Sequence, residues 1–254
     1  MDKKIDINCD MGESFGVYRL GFDEEVMPYI TSANIACGFH AGDPIWMSRT
    51  VHLAEETGVG IGAHPSFPDL MGFGRRVMQI SLEELRNYII YQIGALQAFT
   101  QGKKLQHVKA HGPLTNMGAV DEELARAVAE AVREVDPNLI LIGLAGSAWV
   151  KAGHETGLRV AAEVYADRAL TPNGTLVPRS QPGAVIHDVE EVAARSLRMV
   201  TEGKAIAING EEIEVRADTI CVHGDTPGAA VLAQTLRQRL EAAGVTVVPM
   251  GTFL

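Results

Sequence analysis

Short apolar runs rich in β-branched residues recur near residues 5–9, 31–36, 59–63, 105–110, 139–142, 159–164, 219–222 and 245–248, and stretches of helical periodicity separate most of them. Such alternation predicts βα units, in which parallel strands are joined by helical crossovers. Seven or eight units within 254 residues predict a closed or nearly closed barrel, with a doubly wound open sheet as the competing layout. Helix signals punctuate the pattern. Asp43 and Pro44 open a helix over residues 43–56, and Gly58 marks its end. Ser81 to Glu84 reads as a capping box for a helix reaching about Phe99, and Asp121 starts another over residues 122–135. Further helices are predicted over residues 188–200 and 227–243. Residues 205–215 break the alternation with Asn209-Gly210, a strong turn signal, and read as an inserted β-hairpin. Residues 165–183 carry three prolines and two arginines, which suits an ordered loop over a site or a purely structural connection.

Six of the apolar runs break into knots of polar, titratable residues and glycine, over residues 5–13, 32–43, 59–69, 105–116, 160–168 and 219–225. If the runs are buried strands, these knots gather on one rim, and Asp10, His40, His64, His111 and His223 share one cleft. Asp10 and Glu13 leave the first strand as carboxylates able to hold a cation or take a proton, with hydrogen bonding to loop backbone as the plainer reading. Asn34 is a polar strand residue ahead of His40, whose place beside a helix start favours a neutral imidazole. Asp43 reads as a cap only. Pro65 restricts His64 to an extended conformation. Arg75 and Arg76 suit a carboxylate or phosphate, or a solvated surface. His107 and His111 would share a face on a helix, but four residues of strand span about 13 Å, so His111 is the site candidate and His107 belongs to the opposite rim. Lys109 either contacts an anionic substrate or pairs with a carboxylate such as Glu163. Asp167 with Arg168 is a local ion pair or part of the site. His223 and Asp225 supply base and acid before a helix, where Asp225 can equally be a cap, and Arg179 is an anion-binding candidate in the long loop.

Composition narrows the class. A formal charge of -10 and a pI near 5.3, without basic runs or interleaved aromatics, argue against nucleic acid or an anionic membrane as partner. A small anionic substrate is compatible, since a few local arginines outweigh distant acidic residues. The content of 46% hydrophobic residues is enough for one large α/β domain spanning residues 1–254. No secretory h-region and no run of membrane-spanning length is visible, and three cysteines without CxxC spacing fit a reducing cytoplasm. The patterns GxxxxGK[ST], GxSxG, HExxH and GxGxxG are absent, so there is no obvious nucleotide cradle.

The strings beginning at Asp6 (Asp-Ile-Asn-Cys-Asp-Met-Gly-Glu), Ala33 (Ala-Asn-Ile-Ala-Cys-Gly-Phe-His-Ala-Gly-Asp), Gly62 (Gly-Ala-His-Pro-Ser-Phe-Pro-Asp), Val108 (Val-Lys-Ala-His-Gly) and Val222 (Val-His-Gly-Asp) resemble the LamB/YcsF family over nearly the whole chain. The resemblance implies a distorted barrel of about seven parallel strands, related to glycoside hydrolase and polysaccharide deacetylase barrels. It implies ATP-dependent opening of 5-oxo-L-proline to L-glutamate as one component of a 5-oxoprolinase, with partner subunits B and C. On that reading the partners phosphorylate the lactam and this chain hydrolyses the activated ring. Asp10 with His40 or His64 activates water, and His111 or His223 protonates the leaving nitrogen. Lys109, Arg75 and Arg168 hold the anionic groups. A divalent metal at Asp10 and the histidines is another way to activate water. A metal-dependent deacetylase and a noncatalytic member of the complex are the competing functions.

Overall fold

The structure, a computed structural model, describes residues 3–224 and 228–254. Asp225, with the predicted helix start at Thr226 and Pro227, lies outside the described residues. The described strands are β1 (Lys4–Met11), β2 (Ser32–Ala36), β3 (Gly60–His64), β4 (His107–Lys109), β5 (Ile140–Leu144), β6 (Arg159–Tyr165), β7 (Lys204–Ile206), β8 (Glu212–Glu214), β9 (Thr219–Val222) and β10 (Thr246–Val247). Strands β1 to β6 pair in parallel in chain order, and β9 pairs with both β6 and β1, so seven strands close a parallel ring. The expected barrel is therefore present, and the open sheet is not. The run at 245–248 provides only β10, two residues paired with the start of β1, because β9 already occupies the ring position beside it. Strands β7 and β8 form the expected antiparallel hairpin apart from the ring.

The helices are α1 (Asp23–Val26), α2 (Pro44–Thr57), α3 (Leu82–Gln97), α4 (Pro113–Val120), α5 (Glu122–Val135), α6 (Ala148–Glu155), α7 (Val189–Glu202) and α8 (Ala229–Ala242). Their starts follow the capping chemistry of the sequence. Asp43 accepts hydrogen bonds from Ile45 N and Trp46 N, Ser81 and Glu84 form the reciprocal box, and Asp121 and Asp188 cap α5 and α7. Helices α4 and α6 were not legible as periodic segments, being eight residues each. Helix α4 starts directly behind His111 because Gly112 takes a positive φ of 60° and Pro113 sits at the first helical position.

Period-two alternation decides which side chains enter the barrel. In β1 the apolar set Ile5, Ile7, Cys9 and Met11 joins the main core under the helices, while Asp6, Asn8 and Asp10 point the other way and bond across the ring. The interior is consequently a polar column with an apolar floor. At the floor, Ile140, Ile142 and Ala161 pack against Met250, itself wholly buried. Just above, the Asp6 carboxylate accepts hydrogen bonds from Thr31 Oγ1 at 2.7 Å, Ser32 Oγ at 2.6 Å and Met250 N at 3.2 Å.

Candidate active site at the barrel mouth

The column rises from Asp6 to a cleft at the C-terminal ends of the strands. Asn8 Nδ2 donates to Thr219 Oγ1 at 2.7 Å and Glu163 Oε1 at 3.1 Å, and Asn34 Nδ2 donates to Asn8 Oδ1 at 2.7 Å and Asp10 Oδ1 at 2.8 Å. His107 Nε2 stands 2.8 Å from Asn34 Oδ1. His107 is thus inside the barrel, one layer below the cleft, and not at the opposite rim; burial, reinforced by Lys109, pushes its pKa down to about 3. Asn34 lies beneath the cleft as well, and positions Asp10 from below.

Above this layer a cavity of about 520 Å³ is walled by Asp10, Glu13, His64, Arg75, Lys109, His111, Arg168, Arg179 and His223. Residues scattered from 10 to 223 therefore meet in one hollow, as the strand-end pattern predicts. Lys109 sits at its base, 3.0 Å from Asp10 Oδ1 and 2.9 Å from Glu163 Oε1, and also donates to Asn8 Oδ1 at 3.1 Å. Cys221 Sγ lies 3.0 Å away as a fourth neighbour, so the ammonium is fully engaged, and of its two readings the structure shows the carboxylate pairing. Burial alone would lower the Lys109 pKa, but Asp10, the Cys221 thiol and Glu163 outweigh it and hold the pKa well above the usual range. Burial likewise works to raise Asp10, and His64 and Lys109 overrule it, holding the carboxyl well below the ordinary carboxylate range.

The histidines form two groups. His64 Nδ1 contacts Lys109 O at 2.7 Å, and its Nε2 lies 3.3 Å from Asp10 Oδ2 and 3.1 Å from His111 Nδ1. His111 Nε2 contacts Phe73 O at 2.9 Å, which is possible because Phe73 adopts a left-handed backbone with φ 55° and turns its carbonyl inward. His40 lies behind the wall rather than on it: it is fully buried and stacks on His111 with ring centroids 3.8 Å apart. Its pKa falls well below the usual value through burial first and His111 second, so the imidazole is neutral as expected from sequence. Burial, then His64, pushes His111 down to about 3. The donor atoms of Glu13, His40, His64 and His111 lie within 4.8 Å of one another and are the set able to hold a metal.

Across the cavity, His223 Nδ1 meets both Asp167 oxygens at 2.9 Å, and its Nε2 meets Arg179 Nη2 at 3.0 Å. Asp167 therefore partners His223, not Arg168. Burial would raise Asp167, but the His223 hydrogen bond and charge lower it. Arg168 is buried and donates to Val177 O at 2.6 Å and Ala184 O at 3.3 Å, so its guanidinium ties down the long loop whose residues 176–179 wall the cavity. Arg75 lies 5.0 Å over the Phe73 ring, whereas Arg76 is held by Asp69 away from the cavity. Sequence reasoning overlooked Asn8, Tyr165 and Phe73. The alternation of β1 contained the signal for Asn8, whereas a backbone carbonyl leaves no mark in sequence. The three cysteines are free and buried, and burial raises all three thiols, which agrees with their reading as small core groups. Among the described residues no helix is long and apolar enough to cross a membrane.

A closed ring of parallel strands, polar within and open to a histidine and carboxylate cleft at its C-terminal mouth, defines a βα-barrel of the kind that carries its chemistry on strand ends. The chain belongs to the LamB/YcsF family, whose profile matches residues 5–254. It is 59% identical over 253 residues, 99% of each chain, to a Thermococcus onnurineus protein named as the A subunit of 5-oxoprolinase. A solved structure of the lactam utilization protein from Thermus thermophilus superposes with a TM-score of 0.92 at 48% identity, covering 96% of this chain and 99% of that one. A peptidoglycan deacetylase from Bacillus subtilis superposes at 0.52 with 12% identity over 99% of this chain and 89% of its own, a likeness of fold alone.

Proposed function

We propose that this chain is the ring-opening component of an ATP-dependent 5-oxoprolinase, converting 5-oxo-L-proline to L-glutamate in the cytoplasm with partner subunits B and C. The observation that carries the chemistry is Asp10, a carboxylate held ionised between Lys109 and His64 at the base of the cavity. The 59% identity to the Thermococcus onnurineus protein, named for 5-oxoprolinase, supports the substrate. Amide resonance protects a lactam carbonyl and water is a weak nucleophile. Transfer of the ATP γ-phosphoryl group to the carbonyl oxygen, with ADP leaving, gives a ring carbon open to attack. We assign that transfer to the partners, because the chain has no phosphate-cradling motif.

In this chain, Asp10 takes a proton from water as the water oxygen bonds to the activated carbon. The carbon–nitrogen bond then breaks, and the nitrogen must leave as a neutral amine. His111 has one ring nitrogen on His64 and one on Phe73 O, while His223 lines the cavity with Nδ1 on Asp167, which would stabilise an imidazolium, and Nε2 on the Arg179 guanidinium, itself a cavity residue that can turn to an anionic substrate. We assign the proton donation to His223, whose Nε2 would carry the proton once Arg179 leaves it for the substrate's anionic group. A second water releases phosphate from the resulting acyl phosphate and leaves the free carboxylate. Arg75 and Arg179, both lining the cavity, hold the substrate carboxylate and the phosphoryl group. Lys109 acts indirectly, by keeping Asp10 charged.

The test mixes the chain with subunits B and C, 5-oxoproline and ATP, and measures glutamate. Asp10→Asn, folded as judged by circular dichroism, is expected to lower turnover by a factor of about 100 to 10,000, the usual contribution of a positioned base. Turnover undiminished in Asp10→Asn, or glutamate formed equally well without this chain, overturns the assignment.

A further inference from the structure

The structure carries one feature that the ring-opening chemistry does not use, the arrangement of ring nitrogens behind Asp10. A carbonyl oxygen can only accept a hydrogen bond, so His64 Nδ1, 2.7 Å from Lys109 O, and His111 Nε2, 2.9 Å from Phe73 O, are the nitrogens that bear hydrogen. In neutral rings the other two nitrogens carry lone pairs, and those two atoms face each other at 3.1 Å. Asp10 Oδ2 adds another acceptor 3.3 Å from His64 Nε2. Lone pairs turned toward one another repel unless something positive lies among them.

A proton on His64 Nε2 would answer that contact but not the next one. His40 is wholly buried, and among the described residues neither of its ring nitrogens has a hydrogen-bond partner. An unpartnered buried imidazole is costly in a protein interior. Its Nε2 stands 3.6 Å from Glu13 Oε1, which is also 3.9 Å from His111 Nδ1. Donors placed about 2.1 Å from a tetrahedral ion lie about 3.4 Å apart; the separations of 3.1, 3.6 and 3.9 Å bracket that edge, and the full set, within 4.8 Å, would draw in around an ion. The carbonyls behind His64 and His111 are the outer partners that fix a ligating histidine in the right tautomer.

The geometry points to a divalent transition-metal site of the zinc class in which His40, His64, His111 and Glu13 supply the ligands. Imidazole nitrogen with one carboxylate suits zinc or cobalt better than magnesium or calcium, which prefer oxygen, and the absence of thiolate ligands disfavours softer ions. With four protein ligands the shell would be closed, so the ion would serve to fix the wall behind Asp10. The inference rests on donor geometry and is independent of which substrate the cleft takes.

The test uses the full-length chain stripped with chelator, then titrated with Zn²⁺ by calorimetry and elemental analysis, and with Co²⁺ by visible absorption. A single tight ion per chain is expected, with Co²⁺ bands of a four-coordinate nitrogen and oxygen site and a rise in Tm on binding. His40→Ala, which changes no residue of the cavity wall, should weaken Zn²⁺ binding by more than about 100-fold, beyond the loss typical of an outer-shell change, and abolish the Tm gain. Should His40→Ala fail to fold, His111→Asn is expected to give the same loss. A folded wild-type chain that takes up no stoichiometric Zn²⁺ or Co²⁺, or variants that bind as tightly as wild type, overturns the site. Neither readout requires glutamate formation, so failure of the metal and failure of the reaction are separable.

Discussion

Two aspartates of one strand show how far a neighbour can move a side chain's chemistry. Asp6 and Asp10 both project into the barrel from β1, yet their pKa values move in opposite directions. Asp6 has hydroxyl and amide donors but no cation, and burial raises it to about 6 despite the bonds from Ser32, Thr219, Thr31 and Met250. Asp10 has Lys109 and His64, and stays ionised. A carboxyl whose folded pKa lies above its unfolded value favours folding below the unfolded pKa and loses that contribution as pH rises through the folded one. The gap in unfolding free energy between wild type and Asp6→Asn is therefore expected to move toward the wild type by about 2 kcal/mol as the pH is lowered from about 7 to about 4. Urea unfolding of both proteins across that window checks it, and a constant gap rejects the reading. Asp10, His64 and His111 were legible in sequence because each ends an apolar run. For Lys109 the pairing with Glu163 was one of two open readings, and the task of Arg168 was not legible, because a cation's partner is fixed by packing across the ring and not by its sequence neighbours.

At the level of elements, glycine placement separates what the barrel must leave empty from what it merely tolerates. Gly60 and Gly62 of β3 face inward, where a Cβ on Gly62 would lie 2.1 Å from the His107 ring and one on Gly60 2.3 Å from Gln106 Nε2. Strand β3 is stripped of side chains there so that Gln106, just ahead of β4, and His107, its first residue, can fill the space and hold Ser32 and Asn34 respectively. Gly62→Ala is expected to displace the His107 ring and lose about 1–3 kcal/mol through overpacking. Gly94 in α3 is the opposite case, exposed and with nothing within 4 Å of an added Cβ. Gly94→Ala should stabilise by about 0.5–1 kcal/mol through helix propensity. Thermal unfolding of the pair measures the difference in sign. The same contrast explains what the sequence disclosed: caps such as Ser81 and Asp43 act within a few residues and can be read directly, whereas the short α4 depends on a left-handed Gly112 and has no periodicity to betray it.

Across the whole molecule, stability and chemistry occupy opposite ends of the barrel. The floor is sealed by Met250 against Ile140, Ile142 and Ala161, while the cavity opens at the far end. Met250→Ala should cost about 2–5 kcal/mol in unfolding free energy and leave glutamate turnover at permissive temperature unchanged. Chemical denaturation alongside the coupled assay tests both halves of that statement. The barrel was legible from eight apolar runs, but which run closes it was not. Which run sits beside β1 is decided by long-range pairing, and β9 takes that place while the later run adds only two paired residues. That neighbour relation has a consequence for biosynthesis. Strand β1 must wait for β9, more than 200 residues later, so a polypeptide released before residue 219 holds Asp10, His64 and His111 with no ring to keep them in register. Truncation ahead of β9 is thereby expected to leave the strand-end residues without a common cleft.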